Sequence, residues 1–351
     1  MPAKRGTPEP GGTRGRGRPF RSGSAFFISA DRQSTACAVR SEKLFPPPFH
    51  LLQTARTPYL YSNPISLEHL TPPGHPERPD RIRALQAVFE HENFNPLVRV
   101  EAPEADEETV LLAHPESYLA RVKAAIPEEG LARIDEDTTA SPRSLEAALI
   151  SVGGAIAAVD AVMDGVTDNA FVATRPPGHH AERDKAMGFC LFNQAAIAAR
   201  HAQKKYAVER VAIVDWDVHH GNGTQDIFYE DKSVVYCSTH QMPLYPGTGA
   251  RSETGKGNIF NAPLSANDGS DHFREAFRSR ILPALEDARP DLIIISAGFD
   301  AHHRDPLAEI NLVADDFDWA TGKLMEIAGR QADNRVVSLL EGGYDLEGLA
   351  E

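Results

Sequence analysis

Acid, acid and imidazole alternate with apolar residues along Asp215-Trp216-Asp217-Val218-His219, directly after the apolar run Val211-Ala212-Ile213-Val214. Side chains on an extended backbone point alternately to opposite faces, so Asp215, Asp217 and His219 are expected on one side. Three further groups could complete a site there: His179-His180, Asp300 and Tyr344, each following its own apolar run. Asp217, His219 and Asp300 make a set of two carboxylates and one imidazole, which suits a divalent cation that keeps a position open for water or substrate. A cation so held lowers the pKa of water toward about 7 and polarises a carbonyl, so an open position points to catalysis. In the plainer reading Asp217 only caps a turn and His219 is a satisfied loop histidine. Asp300 and the paired histidines weigh against it. Two adjacent imidazoles within Pro176-Pro177-Gly178-His179-His180-Ala181 allow two protonation states, one cationic beside a carboxylate and one free to accept a proton.

Short β-branched runs must carry these groups. Ala170 to Ala173, Val211 to Val214, Val234 to Cys237, Leu292 to Ile295 and Val336 to Leu340 are apolar on both parities, as in strands covered on both faces. Helical spacing recurs between them, over Arg81 to His91 and over Ser144 to Met163. The pattern predicts an α/β fold with a mainly parallel central sheet flanked by helices, whose ligands collect outside the carboxyl ends of the strands. Polar clusters follow each run: Arg175 to His180, Asp215 to His219, Ser238-Thr239-His240, Ser296 to Asp300, and Glu341 to Tyr344.

Composition narrows the function. The chain has 351 residues, 41% apolar and 25% charged, enough for a large core. Residues 1–57 hold ten Lys and Arg against three Asp and Glu, with Gly and Pro clustered, and are expected to be a disordered basic tail. Against whole-chain totals of 36 and 50, that leaves 26 basic and 47 acidic residues in 58–351, the single expected domain. A body carrying a net charge near −21 excludes nucleic-acid binding along its surface, leaving only the tail for such a role. No run is expected to span a membrane. Three cysteines, Cys37, Cys190 and Cys237, show no C-x-x-C spacing, which argues for a reducing, cytoplasmic compartment and against a thiolate metal site.

Taken together, Arg175-Pro-Pro-Gly-His-His-Ala181, Gly188-Phe189-Cys190, Asp215-Trp-Asp-Val-His-His-Gly-Asn-Gly223, Tyr245-Pro-Gly-Thr-Gly249, Ser296-Ala-Gly-Phe-Asp300 and Glu341-Gly-Gly-Tyr344 resemble the zinc-dependent histone deacetylase family. The resemblance runs from Gly74-His75-Pro76-Glu77-Arg78-Pro79 to the C-terminus and is similar in detail to the class II branch and its bacterial amidohydrolase and acetylpolyamine relatives. It implies the arginase-deacetylase fold and hydrolysis of an acylated lysine side chain or a small acylamide. It further implies one catalytic zinc, with Fe2+ as the other candidate metal. By that resemblance Asp217, His219 and Asp300 are the metal ligands, and His180 is the base, with His179 electrostatic beside Asp215. Tyr344 donates to the carbonyl oxygen, and Asn222 stands where one branch of the family has a second relay aspartate. Gly188, Phe189 and Tyr245 line a narrow channel. Leu307 takes the position of an acidic gatekeeper found in polyamine-selective members, so a leucine there favours acyl-lysine or other acylamides. The resemblance also implies a monovalent cation, potassium, near Asp215, Asp217, His219 and Ser238. The chain ends seven residues past Tyr344, where the family continues into another helix, so the tyrosine loop is expected to lack that support. Asp135-Glu136-Asp137 is either part of a substrate rim or a solvated acidic loop, and His302-His303 is expected outside the metal site. Rival classes are arginase-like hydrolysis with two manganese ions, non-catalytic acyl-lysine binding, and nucleic-acid binding through the tail. The oligomeric state leaves no mark on the sequence.

Overall fold

In the computed structural model, described over residues 56–351, runs of Val and Ile become the inner strands of an eight-stranded sheet. Cys37 and the tail expected over residues 1–57 lie outside the described residues, apart from Arg56 and Thr57. In chain order the elements are β1 (Tyr59–Ser62), α1 (Asp80–Phe89), β2 (Val98–Glu101), α2 (Glu107–Val110), α3 (Glu116–Ala125), β3 (Ala132–Arg133), β4 (Thr139–Ala140), α4 (Ser144–Met163) and β5 (Asn169–Val172). Then come α5 (Gln194–Tyr206), β6 (Val211–Asp215), α6 (Asn222–Phe228), β7 (Val234–Gln241), β8 (Ile259–Leu264), α7 (Ser270–Ala276) and α8 (Leu282–Ala288), followed by β9 (Leu292–Ala297), α9 (Ala314–Gln331), β10 (Val336–Leu340) and α10 (Leu346–Ala350). The sheet order is β2-β1-β5-β10-β9-β6-β7-β8, every pair parallel, and β3 with β4 forms a separate antiparallel pair. This is the arginase-deacetylase fold.

The pleat sends alternate residues of β6 into two cores. Val211 and Ile213 join the core built with α4 and α5, while Ala212 and Val214 join the one built with α7 and α9. Burial of each Val or Ile side chain stabilises the fold by about 1.5–3 kcal/mol, which explains why these strands need apolar residues on both parities. Helix α4 is, by length and composition, apolar enough to cross a membrane, contrary to the expectation that no run is. Its Ala and Val side chains are instead buried against the sheet, and mean hydropathy cannot separate such a core helix from a span.

Two expectations need correction. Ser238-Thr239-His240 lies inside β7 rather than beyond it, because pairing with β8 extends the ladder through Gln241 opposite Leu264. Strand β6 stops at Asp215, so Asp217 and His219 are gathered by a loop and not by the pleat. Strands β1, β2 and β8 lie at or beside the edges of the sheet, where short and partly polar sequences suffice.

One buried ion cluster ties the start of the domain to the loops after β5 and β10. Arg175, just past β5, grips Glu77 with two bonds (Nε–Oε1 2.6 Å, Nη2–Oε2 2.5 Å) and donates to Ser66 O and His69 O. Arg81 of α1 shares Glu77 (3.3 Å) and donates to Gly343 O (2.6 Å) and Glu341 O. All three side chains are fully buried. Burial opposes ionisation of Glu77, yet the Arg175 guanidinium holds its carboxyl well below the usual range. Glu77→Gln keeps the shape but leaves two guanidiniums without their counter-charge, so chemical denaturation should show a loss of about 3–5 kcal/mol. A loss below about 1 kcal/mol, the size typical of an exposed pair, would mean the cluster is not buried as described.

Candidate active site

Loops after β5, β6, β9 and β10 bring their polar residues to one rim. Asp217, His219 and Asp300 are buried there, with ligand atoms within 4.8 Å of one another. His219 Nδ1 lies 3.2 Å from Asp217 Oδ1 and 3.0 Å from Asp300 Oδ2. Backbone amides aim the two carboxylates: His219 N and Gly342 N donate to Asp217 (2.9 and 2.8 Å), and Val218 N donates to Asp300 Oδ1 (2.8 Å). A Cβ on Gly342 would stand 2.2 Å from Asp300 Oδ2 and 2.6 Å from Asp217 Oδ2, so only glycine lets the β10 loop close over this cradle.

The electrostatics suit a cation. Burial, with the charge of Asp217, pushes Asp300 up to about 7, so the second carboxylate ionises reluctantly while alone with the first. Burial also opposes ionisation of Asp217, but His179 and His219 hold it well below the carboxylate range. For His219 burial works against the proton, and bonding to Asp217 and Asp300 still raises it to about 10. A divalent ion would take over the charge these protons balance. Two hard oxygens and one imidazole nitrogen fit zinc or ferrous iron, and among the described residues no fourth acid, His or Cys joins this group.

Beside the triad the two histidines divide. His179 Nδ1 is 3.0 Å from Asp215 Oδ2, and its Nε2 is 3.7 Å from Asp217 Oδ2. Burial disfavours a charge on His179, but Asp217 and Asp215 outweigh it and raise the pKa well above the usual value. His180 is lowered well below it, by burial and then by the charges of His179 and His219. Its Nδ1 is 2.8 Å from Asn222 Oδ1. The surroundings thus favour a proton on His179 and disfavour one on His180. Asp215 also accepts from Tyr236 Oη (3.0 Å) and from Asp217 N (3.1 Å).

Aromatic rings form the walls. Phe189 packs edge-on against Tyr344 (5.9 Å between centroids) and against His75 (4.7 Å). Tyr245 packs against His180 (5.2 Å) and is 39% exposed, so it faces both the site and solvent. Gly188, at φ +57°, lies so close to the His180 ring that a Cβ would stand 2.3 Å from Cδ2. Asp137 accepts from Gly188 N (3.0 Å), so this member of the acidic trio anchors the wall turn. Cys190, buried, bonds Gly188 O through its thiol (3.2 Å). His302 faces Glu351 (3.3 Å) and His303 bonds Leu312 O, so neither joins the triad. Ser238 sits opposite Asp215 in the sheet.

Sequence reasoning missed the residues that hold these loops still. The carboxylate of Asp305 accepts from Tyr344 N (2.7 Å), Asp345 N (3.1 Å) and Leu307 N (3.0 Å), tying the Leu307 turn to the tyrosine loop. With Arg81 5.0 Å from the Tyr344 ring and α10 following, that loop is anchored despite the expectation that it lacks support. Glu341 accepts from Gly178 N (2.6 Å), His179 N (3.2 Å) and Ser296 Oγ (3.2 Å), linking the histidine turn to β10. The only hint of Glu341 was its place in Glu-Gly-Gly-Tyr; nothing in the spacing flagged Asp305.

The histone deacetylase domain family matches residues 75–351. The chain is 42% identical over 277 residues to the histone deacetylase-like amidohydrolase of Pseudomonas aeruginosa, covering 77% of this chain and 73% of that one. It is 36% identical over 324 residues to histone deacetylase 10, chloroplastic, of Oryza sativa, covering 86% and 72%. The crystal structure of the HDA15 HD domain superposes with a TM-score of 0.79 at 34% identity, covering 84% of this chain and 85% of that one.

Proposed function

Because this chain belongs to the histone deacetylase family and is an amide-hydrolysing enzyme, we propose that it removes acyl groups, acetyl foremost, from N-acyl-lysine side chains at the rim described above. The observation that carries this reading is the meeting of a buried two-acid, one-imidazole triad with a split histidine pair and a tyrosine, between aromatic walls. Asp217, His219 and Asp300 would hold the divalent cation, zinc in this reading. When bound, the cation polarises the amide carbonyl and makes water acidic enough to attack at neutral pH.

The chain's own groups do the rest. Neutral His180 takes the proton of the attacking water and returns it to the lysine amine as that leaves. Cationic His179, on Asp215, supplies fixed positive charge next to it. Tyr344 stays protonated because burial, with the nearby charge of Asp300, raises its hydroxyl well above the usual range, so it donates to the oxygen that gains charge. Phe189 and Tyr245 would flank the aliphatic arm, excluding water from the reacting bond. Leu307 offers no charge to a polycation, which favours acyl-lysine over acetylpolyamines.

A monovalent cation beneath Asp215 belongs to the same reading. His240 Nε2 faces Gly249 O (3.0 Å), and burial keeps His240 neutral with its pKa down at about 4. Ser238 must therefore donate to His240 Nδ1 (2.8 Å), leaving its oxygen lone pairs for potassium together with the main-chain oxygens of Asp217 and His219. The buried free thiols Cys190 and Cys237 are consistent with a reducing compartment, cytoplasmic in this reading.

Turnover of an acetyl-lysine peptide and an acetylpolyamine by purified, metal-loaded protein tests the assignment. The peptide should be the better substrate, and a hydroxamate should inhibit. Tyr344→Phe should lower kcat about 10²–10³-fold with little change in KM, as for loss of a single oxyanion donor. Equal kcat in the two proteins would remove Tyr344 from the reaction.

A further inference from the structure

Asn222 has two chemically different ends, and the structure orients both. Its Oδ1 faces His180 Nδ1 at 2.8 Å. Its Nδ2 donates to Glu182 Oε1 at 2.7 Å and to Met187 Sδ at 3.3 Å. The amide nitrogen only donates, whereas an ionised carboxylate and a thioether only accept. Turning the amide over would set Oδ1 against both acceptors, so Glu182 and Met187 select one orientation. An oxygen then faces His180 Nδ1, and that nitrogen must carry the hydrogen. Nε2 is left with its lone pair.

A neutral amide needs this help. Aspartate at 222 would accept from His180 with either oxygen, but asparagine can be reversed. A reversed Asn222 would donate to His180 Nδ1 and force the hydrogen onto Nε2, where the ring could no longer take a proton from water. Glu182 is half-buried on the turn after His180, its backbone N donating to Lys185 O at 2.9 Å. Among the described residues no Lys or Arg pairs with its carboxylate, which accepts from Asn222.

We infer that Glu182 is a positioning residue: through the Asn222 amide it fixes the tautomer of His180 and so keeps Nε2 competent as the base. The inference rests on His180 being the base of amide hydrolysis. Glu182 touches neither substrate nor metal in this account, and its whole effect passes through Asn222.

A double-mutant cycle on the full-length, metal-loaded protein tests it. In Glu182→Gln the new side chain can present either oxygen or nitrogen to Asn222, so both orientations become accessible. We expect kcat to fall about 10-fold with KM unchanged, in line with loss of an outer hydrogen-bond partner. In Asn222→Asp two carboxylates meet at the position of the present 2.7 Å bond, and kcat should fall as well. Adding Glu182→Gln to Asn222→Asp should raise kcat, because the glutamine nitrogen then donates to Asp at 222. This reversal of sign is not expected of a residue that merely supports the turn. Nitrogen-15 NMR of histidine-labelled, metal-free protein, with His180 assigned by its loss in His180→Ala, gives a readout independent of turnover. Wild type should show protonated Nδ1 and bare Nε2, and Glu182→Gln a mixture. A Glu182→Gln effect of the same sign and size in both backgrounds, or an unchanged tautomer, would overturn the inference. Wild-type protein that hydrolyses no acyl amide while the tautomer still responds to Glu182→Gln would instead sink the proposed function and leave the tautomer lock standing.

Discussion

Stripping divalent metal with a chelator should reduce amide hydrolysis to background, and adding back one equivalent of zinc or ferrous iron should restore it. Asp217, Asp300, Asp215 and Glu341 are all buried within the same small volume. Burial pushes Glu341 up to about 7, as it does Asp300 with the help of Asp217, so the protein resists carrying these charges without a cation nearby. A bound ion should also raise the melting temperature, since a ligand that binds only the folded state stabilises it by RT ln(1 + [L]/Kd), about 2.7 kcal/mol at a hundredfold excess over Kd. Asp217→Asn removes one ligand charge and replaces with an NH2 one of the two oxygens that accept from His219 N and Gly342 N. That variant should bind neither metal tightly, by equilibrium dialysis, and should stay inactive after zinc is added. Full turnover at a metal content far below one per chain would refute the metal site outright.

The fold was readable where the chain buries itself on both faces, and less so elsewhere. Val211 to Val214, Leu292 to Ile295 and Val336 to Leu340 announce β6, β9 and β10 because a strand between two cores needs apolar residues on both parities. Tyr59–Ser62 and Val98–Glu101 are four residues long near one edge, and Ile259–Leu264 carries Pro263 at the other. Nothing local marks those as strands. The triad was legible for a related reason: Asp217 and His219 lie in the loop after β6 and Asp300 in the loop after β9, and parallel strands deliver such loops to one rim.

The residues that hold the site in shape were not legible. Glu77 meets Arg175 across 98 positions and Arg81 meets Gly343 across 262, and no periodicity encodes a contact of that range. The Asp305 bonds to Tyr344 and Asp345 use backbone amides, which every residue but proline offers, so residue types there carry no signal. Glu182 was passed over because Asn222 was read only as standing where one branch of the family has a second relay aspartate, and its contacts with His180 and Glu182 come from the fold. Sequence exposes groups that do chemistry, since few residue types can do it; supporting groups are chosen by geometry and look ordinary.

His180→Ala should lower kcat about 10²–10⁴-fold, the usual contribution of a positioned base. Metal content and melting temperature should stay near wild type, because His180 bonds Asn222 and is not among the ligand atoms gathered by the triad. His179→Ala should differ in kind. His179 bonds Asp215 and lies in the field of Asp217, and its positive charge is, after burial, the next cause of the low pKa of His180. Removing that charge must raise the His180 pKa. The base works only when neutral, so its fraction in working form falls as pH drops through that pKa, and the acid limb of kcat against pH should move to higher pH in His179→Ala. An acid limb unmoved in His179→Ala would mean that His179 does not sense or set the charge of its neighbour. Should His180→Ala keep more than about a tenth of wild-type kcat, where loss of a base costs at least about a hundredfold, the proton would have to leave water by another route.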